Sequence, residues 1–327
     1  MGIVRSTAMP IIRAHKHLPM RGDLLLCGRQ SMFMTPDEAA ELICSLGLTP
    51  QITPEDCELD WETRLLGEGD ERRGGEAITD ESFFRMLGAG RLTILDHSNY
   101  EGATLLIDLN NPIPSDLEAK FDFIVDGGTL DNVFNPAQAL MNISRMLRPE
   151  GRIFTYNIYS GNRYFPYSML PHQWYLDYFS INRHRYAQCY FGLHLPTSQK
   201  HYYQISLRKR ASSRQRSDNF PIIDASMDVG TMVYAIKAPD STWNRQPSQE
   251  FYRSEAEWRE MEPIFRRFAE YPYHEPLVRS TSASGYEILA HDDFEYVDVH
   301  GIAARHVARR RSKRLFRLPR FLRSIKP

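Results

Sequence analysis

The stretch FDFIVDGGTLDNVFNPAQALMNISRMLRPEGRIFTY, residues 121–156, decides the fold of this 327-residue chain. It opens with an apolar run long enough for one buried strand, and that run ends at Asp126. Pro136 then suits the first turn of a helix, whose apolar residues recur at helical spacing until the turn that contains Gly151. A second apolar run, Arg152 to Ile158, predicts another strand. The stretch therefore predicts a strand, a helix and a strand in succession.

Two earlier apolar runs end in the same way, with an acid. Leu92 to Leu95 precedes Asp96, and Thr104 to Ile107 precedes Asp108. A further short run, Asp23 to Cys27, predicts the first buried strand. Buried strands with carboxylates just beyond their carboxyl ends are typical of an α/β protein with a doubly wound, mostly parallel sheet, whose ligand crevice lies at those ends.

Caps and periodicity predict the remaining elements. We expect an irregular basic start, a helix capped by Thr35 or Ser31, a helix from an N-cap at Asp80 to Gly88, a helix from Pro171 to Ile181, strands at Tyr186–Gly192 and Gly230–Ala238, and a helix from Ser254 to about Glu262, where Pro263 stops or kinks it.

These elements suggest one main domain with appendages. The domain covers residues 1–240, with inserted polar loops at about 50–78 and 193–229. Residues 241–300 form a C-terminal extension, and residues 301–327 form a basic amphipathic tail. A chain of this length is long enough to bury a sizeable core.

The composition is that of an ordinary globular protein, with 42% hydrophobic and 25% charged residues. The four cysteines form no Cys-x-x-Cys pair, so we expect neither a metal site nor a disulfide framework. No apolar run reaches the roughly 18 residues that a spanning helix needs. Together these features predict a cytoplasmic protein.

The tail changes the charge balance of the chain. Residues 301–327 hold ten Lys or Arg and no acid, which leaves 30 basic and 41 acidic residues elsewhere. Bulky apolar residues interleave with these cations, so residues 303–327 suit an anionic membrane surface better than nucleic acid and predict a peripheral association with the inner membrane. A solvated terminus without a partner is the alternative.

The stretch 121–156 resembles the fourth strand, helix and fifth strand of class I S-adenosylmethionine-dependent methyltransferases. Arg145, Leu147, Pro149 and Gly151 match the turn that follows the helix in that family, with Glu150 where glycine is commonest. The resemblance implies a Rossmann-like methyltransferase fold with insertions, and S-adenosylmethionine as cofactor.

The stretches ITDESFFRMLGAGRLTILDHSNYEGATLLIDLNNPIP (78–114) and DGGTLDNVF (126–134) resemble a methyltransferase-like subgroup associated with bacterial gene clusters for surface sugars. The resemblance covers roughly residues 22–192. This resemblance implies a role in polysaccharide biosynthesis. The first loop of that subgroup departs from the glycine-rich form, as do Gly28, Arg29 and Gln30 after Cys27 here. Arg29 can pair with the cofactor carboxylate or can fill its place.

The resemblance also implies a set of cofactor contacts. Asp96 is positioned to accept from the ribose hydroxyls, with His97 beside it. Asp108 and Leu109 are placed for the adenine ring. Small residues let the backbone approach the methionine half of the cofactor, and they lie after the fourth strand at Asp126, Gly127 and Gly128.

Two histidines and an aromatic stretch are the candidates for catalysis and acceptor binding. His97 and His172 can take a proton from an acceptor, although either can instead be structural. Tyr164, Tyr167 and Trp174 can stack on a sugar or another ring. Core packing is the alternative for Trp174.

The expected function is S-adenosylmethionine-dependent methyl transfer to a small-molecule or carbohydrate-linked acceptor. Displacement at a sulfonium methyl group needs mainly alignment of the reactants, so an absent base does not exclude it. The alternatives are a catalytically inactive methyltransferase-fold binding protein of a glycan assembly system, and an RNA methyltransferase that uses the basic segments.

Overall fold

The computed structural model describes residues 2–63, 65, 75–160, 166–195, 198–205, 228–270 and 286–288. Within these ranges the helices are α1 (Arg5–His17), α2 (Pro36–Ser45), α3 (Asp80–Met86), α4 (Pro136–Met146), α5 (His172–Ile181) and α6 (Glu255–Glu270). The strands are β1 (Gly2–Ile3), β2 (Leu24–Cys27), β3 (Ser31–Met32), β4 (Leu59–Asp60), β5 (Ala77–Ile78), β6 (Leu92–Asp96), β7 (Leu105–Leu106), β8 (Phe121–Asp126), β9 (Leu147–Ser160), β10 (Tyr186–Leu195), β11 (Ser198–Ile205), β12 (Asp228–Ile236) and β13 (Tyr286–Ile288).

One large sheet organises the described part of the chain, with strand order β13-β11-β10-β12-β9-β8-β2-β6-β7. The strands β7, β6, β2, β8 and β9 pair in parallel, and β12 is antiparallel to both of its neighbours. The chain moves outward from β2 to β6 and β7 and then crosses to β8 on the other side of β2. This reversal creates a crevice at the carboxyl ends of β2 and β8.

Alternating side chains of β2 belong to two apolar cores. Leu24 and Leu26 pack in the core that includes α1, α2 and α3, whereas Leu25 and Cys27 pack in the core that includes α4 and α5. Successive residues of a strand point to opposite faces, so the fold has helices on both faces of a central sheet. The predicted doubly wound α/β class is confirmed.

The unit β8-α4-β9 has the form that the sequence predicts. The side chain of Asn135 accepts from the Gln138 backbone N–H and caps α4, and Pro136 lies in its first turn. The other end of α4 is tied down by Lys237, whose buried Nζ donates to the carbonyls of Ser144 and Leu147 at 2.8 and 2.7 Å. These contacts satisfy carbonyls that the helix end leaves unpaired.

The expected irregular start is wrong, because residues 5–17 form α1. Ile11 and Ile12 of this helix are fully buried in the first core. Arg152 of β9 donates to the carbonyls of Leu18 and Pro19 just beyond the helix end, at 3.0 and 2.8 Å. The basic composition of the segment obscured the buried face of this helix.

Two further expectations before β6 need correction, the cap of α3 and the loop at 50–78, whereas one of the two candidate caps of α2 is confirmed. Thr79, not Asp80, caps α3, since its side chain accepts from the Ser82 backbone N–H. Thr35, rather than Ser31, caps α2 in a capping box with Glu38. Within the expected loop 50–78, the strands β4 and β5 pair antiparallel. Pairing across the loop therefore gives it structure that its local sequence does not show.

The region after β10 also differs from expectation. The expected insertion at 193–229 includes the end of β10, the strand β11 that pairs with it, and the start of β12, while residues 206–227 lie outside the described part. The last helix, α6, continues through Pro263 instead of stopping there. Its buried Met261 and Phe268 pack inward, and this burial offsets the hydrogen bond that the proline removes.

Candidate functional site

The loops after β2 and β8 meet at the crevice. Gly28 has φ of 76°, a left-handed conformation, and its N–H donates to the Leu95 carbonyl at 2.8 Å. The hydroxyl of Thr129 donates to the Cys27 carbonyl at 2.6 Å and joins the two loops. The first loop is therefore fixed between the end of β6 and the loop after β8.

Gln30 lies in the crevice rather than in solvent. Its side chain packs over the Cα of Gly127 so closely that a Cβ there would overlap its Oε1. The Nε2 group donates to the Gly28 carbonyl at 3.3 Å, while the buried Oε1 accepts no hydrogen bond from the described residues. A buried acceptor without a donor is costly and marks a place for a ligand N–H group or a water molecule.

Arg29 is paired with an acid that is itself buried. Its NH1 lies 2.6 Å from Oδ1 of Asp80, and its Nε donates to the Glu101 carbonyl at 3.2 Å. The other oxygen of Asp80 accepts from the Gln30 backbone N–H at 2.9 Å. Asp80 thus fixes the first loop and compensates most of the charge that Arg29 would bring to an anionic ligand.

Asp96 and His97 lie together at the end of β6. Oδ1 of Asp96 accepts from the Ser98 backbone N–H and lies 2.8 Å from Nδ1 of the exposed His97. Neither of these contacts uses Oδ2 of Asp96. This half-buried carboxylate can accept hydroxyl protons from a ligand.

Asp108 lies at the next loop, after β7. Its oxygens accept from the backbone and side chain of Asn110 and from the side chain of Asn111 at 2.8–2.9 Å. The Asn110 backbone N–H is the main cause of the lowered pKa of Asp108. Three of its roughly four lone-pair positions are occupied, so it has little capacity left for an adenine amine. Leu109 beside it is buried.

Asp126 is completely buried, and its contacts are internal. Oδ1 accepts from the backbone N–H groups of Thr129 and Leu130, and Oδ2 accepts from Thr155 and Asn157 at 2.8 and 2.6 Å. Burial raises the pKa of this carboxyl group. The backbones of Gly127 and Gly128, rather than the Asp126 side chain, border the crevice.

Asp131 is a second buried acid at this edge, and the sequence did not indicate a site role for it. Oδ2 accepts from the Ile158 backbone N–H at 2.8 Å, and its own N–H donates to Asn157 at 3.0 Å. Burial, together with the charge of Asp126, raises its pKa to about 7. The alternating Thr155 and Asn157 in a strand of apolar residues are the signal that could have indicated this network.

The two candidate bases lie on different elements. His172 is the first residue of α5, where burial lowers its pKa to about 4, so it is neutral at pH 7 and a weak proton acceptor. His97 is at the end of β6, beside Asp96. The structure records no contact between these two histidines among the described residues.

The aromatic candidates also differ in their surroundings. Tyr167 is exposed, whereas Trp174 packs against the second core and meets Tyr175 edge to face at 4.9 Å. Tyr164 lies outside the described residues, as do residues 301–327. Core packing, the alternative for Trp174, describes its environment here.

No protein-family model and no curated protein matches this sequence. Among solved structures, the Burkholderia thailandensis 1,6-didemethyltoxoflavin-N1-methyltransferase matches with 13% identity and a TM-score of 0.34, over 71% of this chain and 79% of that one. The YcgJ protein of Bacillus subtilis matches with 11% identity and a TM-score of 0.33, over 71% and 98%. The CurJ carbon methyltransferase matches with 14% identity and a TM-score of 0.33, over 72% and 54%. Values this low do not bear on activity.

The strand order and its connections decide the fold. The five parallel strands are added first on one side of β2, as β6 and β7, and then on the other side, as β8 and β9. The helix α4 leads into β9 through the turn from Arg145 to Gly151. This chain has a Rossmann-like α/β fold. In this Rossmann-like fold the crevice between the loops of Gly28 and Gly127 is the place where doubly wound sheets bind ligands.

The described residues contain no group of three His, Cys, Asp or Glu side chains placed to hold a metal ion. None of their helices has the length and apolar character needed to cross a membrane.

Proposed function

We propose that this protein is an S-adenosylmethionine-dependent methyltransferase acting on a small-molecule or carbohydrate-linked acceptor. The observation that carries the proposal is the orphaned Oε1 of Gln30, held beside the Gly127 backbone in the crevice of a methyltransferase fold. A buried acceptor at this point suits the ammonium group of the cofactor's methionine half.

The other crevice residues fit the rest of the cofactor. Asp96 would accept from the ribose hydroxyls through Oδ2, and the backbones of Gly127 and Gly128 would line the methionine half once Gln30 turns aside. Leu109 would pack beside the adenine ring, and Asp108 would keep one acceptor position for its amine. The bound cofactor supplies an electrophilic methyl group, and the protein supplies alignment and exclusion of water. His172, if it accepts the acceptor's proton, does so as a neutral imidazole.

One observation favours a second candidate, a binding protein without methyl transfer. The Arg29 guanidinium is engaged by Asp80, and Gln30 occupies the space over Gly127 that the cofactor's methionine half would enter. Cofactor binding then requires the Gln30 side chain to turn aside, or its Oε1 to accept a hydrogen bond from the cofactor. The proposed membrane contact of residues 303–327 and the RNA alternative depend on segments outside the described part of the chain.

Calorimetric titration of the full chain with S-adenosylhomocysteine tests the proposal. We expect saturable heat and a rise in the melting temperature that grows with ligand concentration. The absence of both effects at millimolar ligand would sink the methyltransferase proposal and leave the binding-protein reading. Transfer of a labelled methyl group from S-adenosylmethionine to an acceptor would then separate a true enzyme from a cofactor-binding protein.

Replacing Asp96 with alanine should weaken the affinity for S-adenosylhomocysteine about ten- to hundredfold, because hydrogen bonds to a charged group contribute about 1.5–3 kcal/mol. The matched control is Asp116→Ala, which removes an exposed acid from the turn at 115–117. Titrations of both variants at one ionic strength measure the difference. Equal affinities in the two variants would refute the assignment of Asp96 to the ribose.

A further inference from the structure

Two large aromatic side chains contact each other on the surface at the carboxyl edge of the sheet. Phe134 is 81% exposed and Tyr167 is 76% exposed, and their ring centroids lie 6.2 Å apart with the planes at 79°. A single exposed aromatic side chain needs no explanation. Two that meet edge to face from loops far apart in sequence form a defined surface, which we call the aromatic pair.

The backbone under the aromatic pair is held firmly. The Ser168 N–H, next to Tyr167, donates to the Asp131 carbonyl at 3.0 Å, and the Asn135 N–H, next to Phe134, donates to Asn110 Oδ1 at 2.9 Å. The carboxylate of Asp131 also accepts from the Ile158 N–H in β9. Asp131 thus joins the loop after β8 to the segment after β9 and sets the spacing of the two rings.

The position of the aromatic pair connects it to the crevice. Phe134 belongs to the loop that begins with Gly127 and Gly128, and Tyr167 belongs to the segment that follows β9. Both segments leave the carboxyl ends of parallel strands, the edge where such sheets bind ligands. The pair therefore lies on the ligand-binding edge of the molecule.

The described residues of these segments present aromatic faces rather than charge. Residues 127–144 and 166–182 contain no Lys or Arg, and His172 is neutral at pH 7. Arg163, also in the segment after β9, lies outside the described residues. The exposed faces of Phe134 and Tyr167 match the apolar face of an uncharged ring.

We propose that the aromatic pair binds an uncharged ring of the methyl acceptor, either an aromatic ring or the C–H face of a pyranose. The role of this ring as part of a methyl acceptor rests on the proposed function. The binding of a ring to the aromatic pair is testable without methyl transfer. Stacking on Phe134 and Tyr167 would place the ring at the edge that also carries Gly127 and Gln30.

Saturation-transfer NMR of the full chain with p-nitrophenyl β-D-glucopyranoside tests the ring site, because this neutral probe carries both kinds of ring. Phe134→Ala and Tyr167→Ala should each weaken probe binding about three- to tenfold. Phe251→Ala should leave it unchanged, since Phe251 is an equally exposed aromatic residue near α6. Competition by methyl β-D-glucopyranoside or by phenol shows which ring is bound.

Equal probe binding by the wild type and both variants, or no binding to the wild type, would overturn the inference. Melting temperatures of the variants check their folding, which removal of an exposed ring should not disturb. The S-adenosylhomocysteine titration is repeated on each variant. If no form binds that ligand while the alanine variants lose the probe, the methyltransferase proposal fails and the ring site stands.

Discussion

Replacing Arg253 with methionine lowers the free energy of unfolding by about 3–5 kcal/mol, the usual cost of removing one partner from a buried ion pair. The fully buried guanidinium of Arg253 lies 2.5 Å from Asp177 of α5 and 4.2 Å from the centroid of the Trp258 ring. It also donates to the Ser248 carbonyl. Methionine keeps much of the volume but leaves the buried Asp177 without its cation.

The pH dependence of this loss follows from Asp177. Burial raises the pKa of its carboxyl group to about 6, although Arg253 opposes that rise, so the pKa becomes higher still in the variant. A raised folded-state pKa gives stability at low pH that is lost as the pH rises. The deficit of Arg253→Met is therefore larger at pH 8 than at pH 5.

Urea denaturation at both pH values measures the effect. The control is Arg259→Met, which breaks an exposed pair with Glu255 on the same helix and should change stability by less than about 1 kcal/mol. Wild-type stability of Arg253→Met at pH 8 would contradict the prediction. An equal loss of stability in both arginine variants would show that the buried pair contributes no more than the exposed pair.

Asp131→Asn changes the pH dependence of stability. The pKa of Asp131 is raised to about 7 in the folded protein, so the folded state keeps a proton that the unfolded state releases near pH 4. The stability from this group is complete below about pH 4 and is lost as the pH rises through 7. Asparagine keeps an acceptor for the Ile158 N–H and has no proton to release.

The expected result is that Asp131→Asn gains stability relative to the wild type as the pH rises from about 4 to 8. Each unit of pKa displacement corresponds to about 1.4 kcal/mol, so the gain amounts to several kcal/mol. Urea denaturation at pH 4.5, 6 and 8 measures it, with the exposed Asp116→Asn as control. Parallel curves for wild type and Asp131→Asn would show that Asp131 does not titrate in this range.

The sequence predicts the central strands well because their signals are local. The buried runs at β2, β6 and β8 and the helix α4 carry their own caps and stops within a few residues. The acids at the strand ends indicate where the crevice lies, because parallel strands have their carboxyl ends at the same edge of the sheet. The fold class follows from these elements alone.

The parts that the sequence misses depend on partners far along the chain. The pair Arg29–Asp80 joins residues 51 positions apart, and the Thr129 hydroxyl reaches the Cys27 carbonyl across 102 positions. No local pattern distinguishes Asp80 as a cap from Asp80 as an ion-pair partner. For the same reason Asp126 looks like a crevice residue in sequence, although its oxygens are used by β9 and by its own loop.

The N-terminal helix α1 has a practical consequence for shortened versions of this chain. Its buried residues cover the first core, and Arg152 fastens its end to β9. A version that starts at Asp23 would keep every strand of the crevice. It would also expose to water the residues of the first core that Ile11 and Ile12 cover. Such an exposed apolar face favours aggregation, so protein production should retain the first twenty residues even when only ligand binding is of interest.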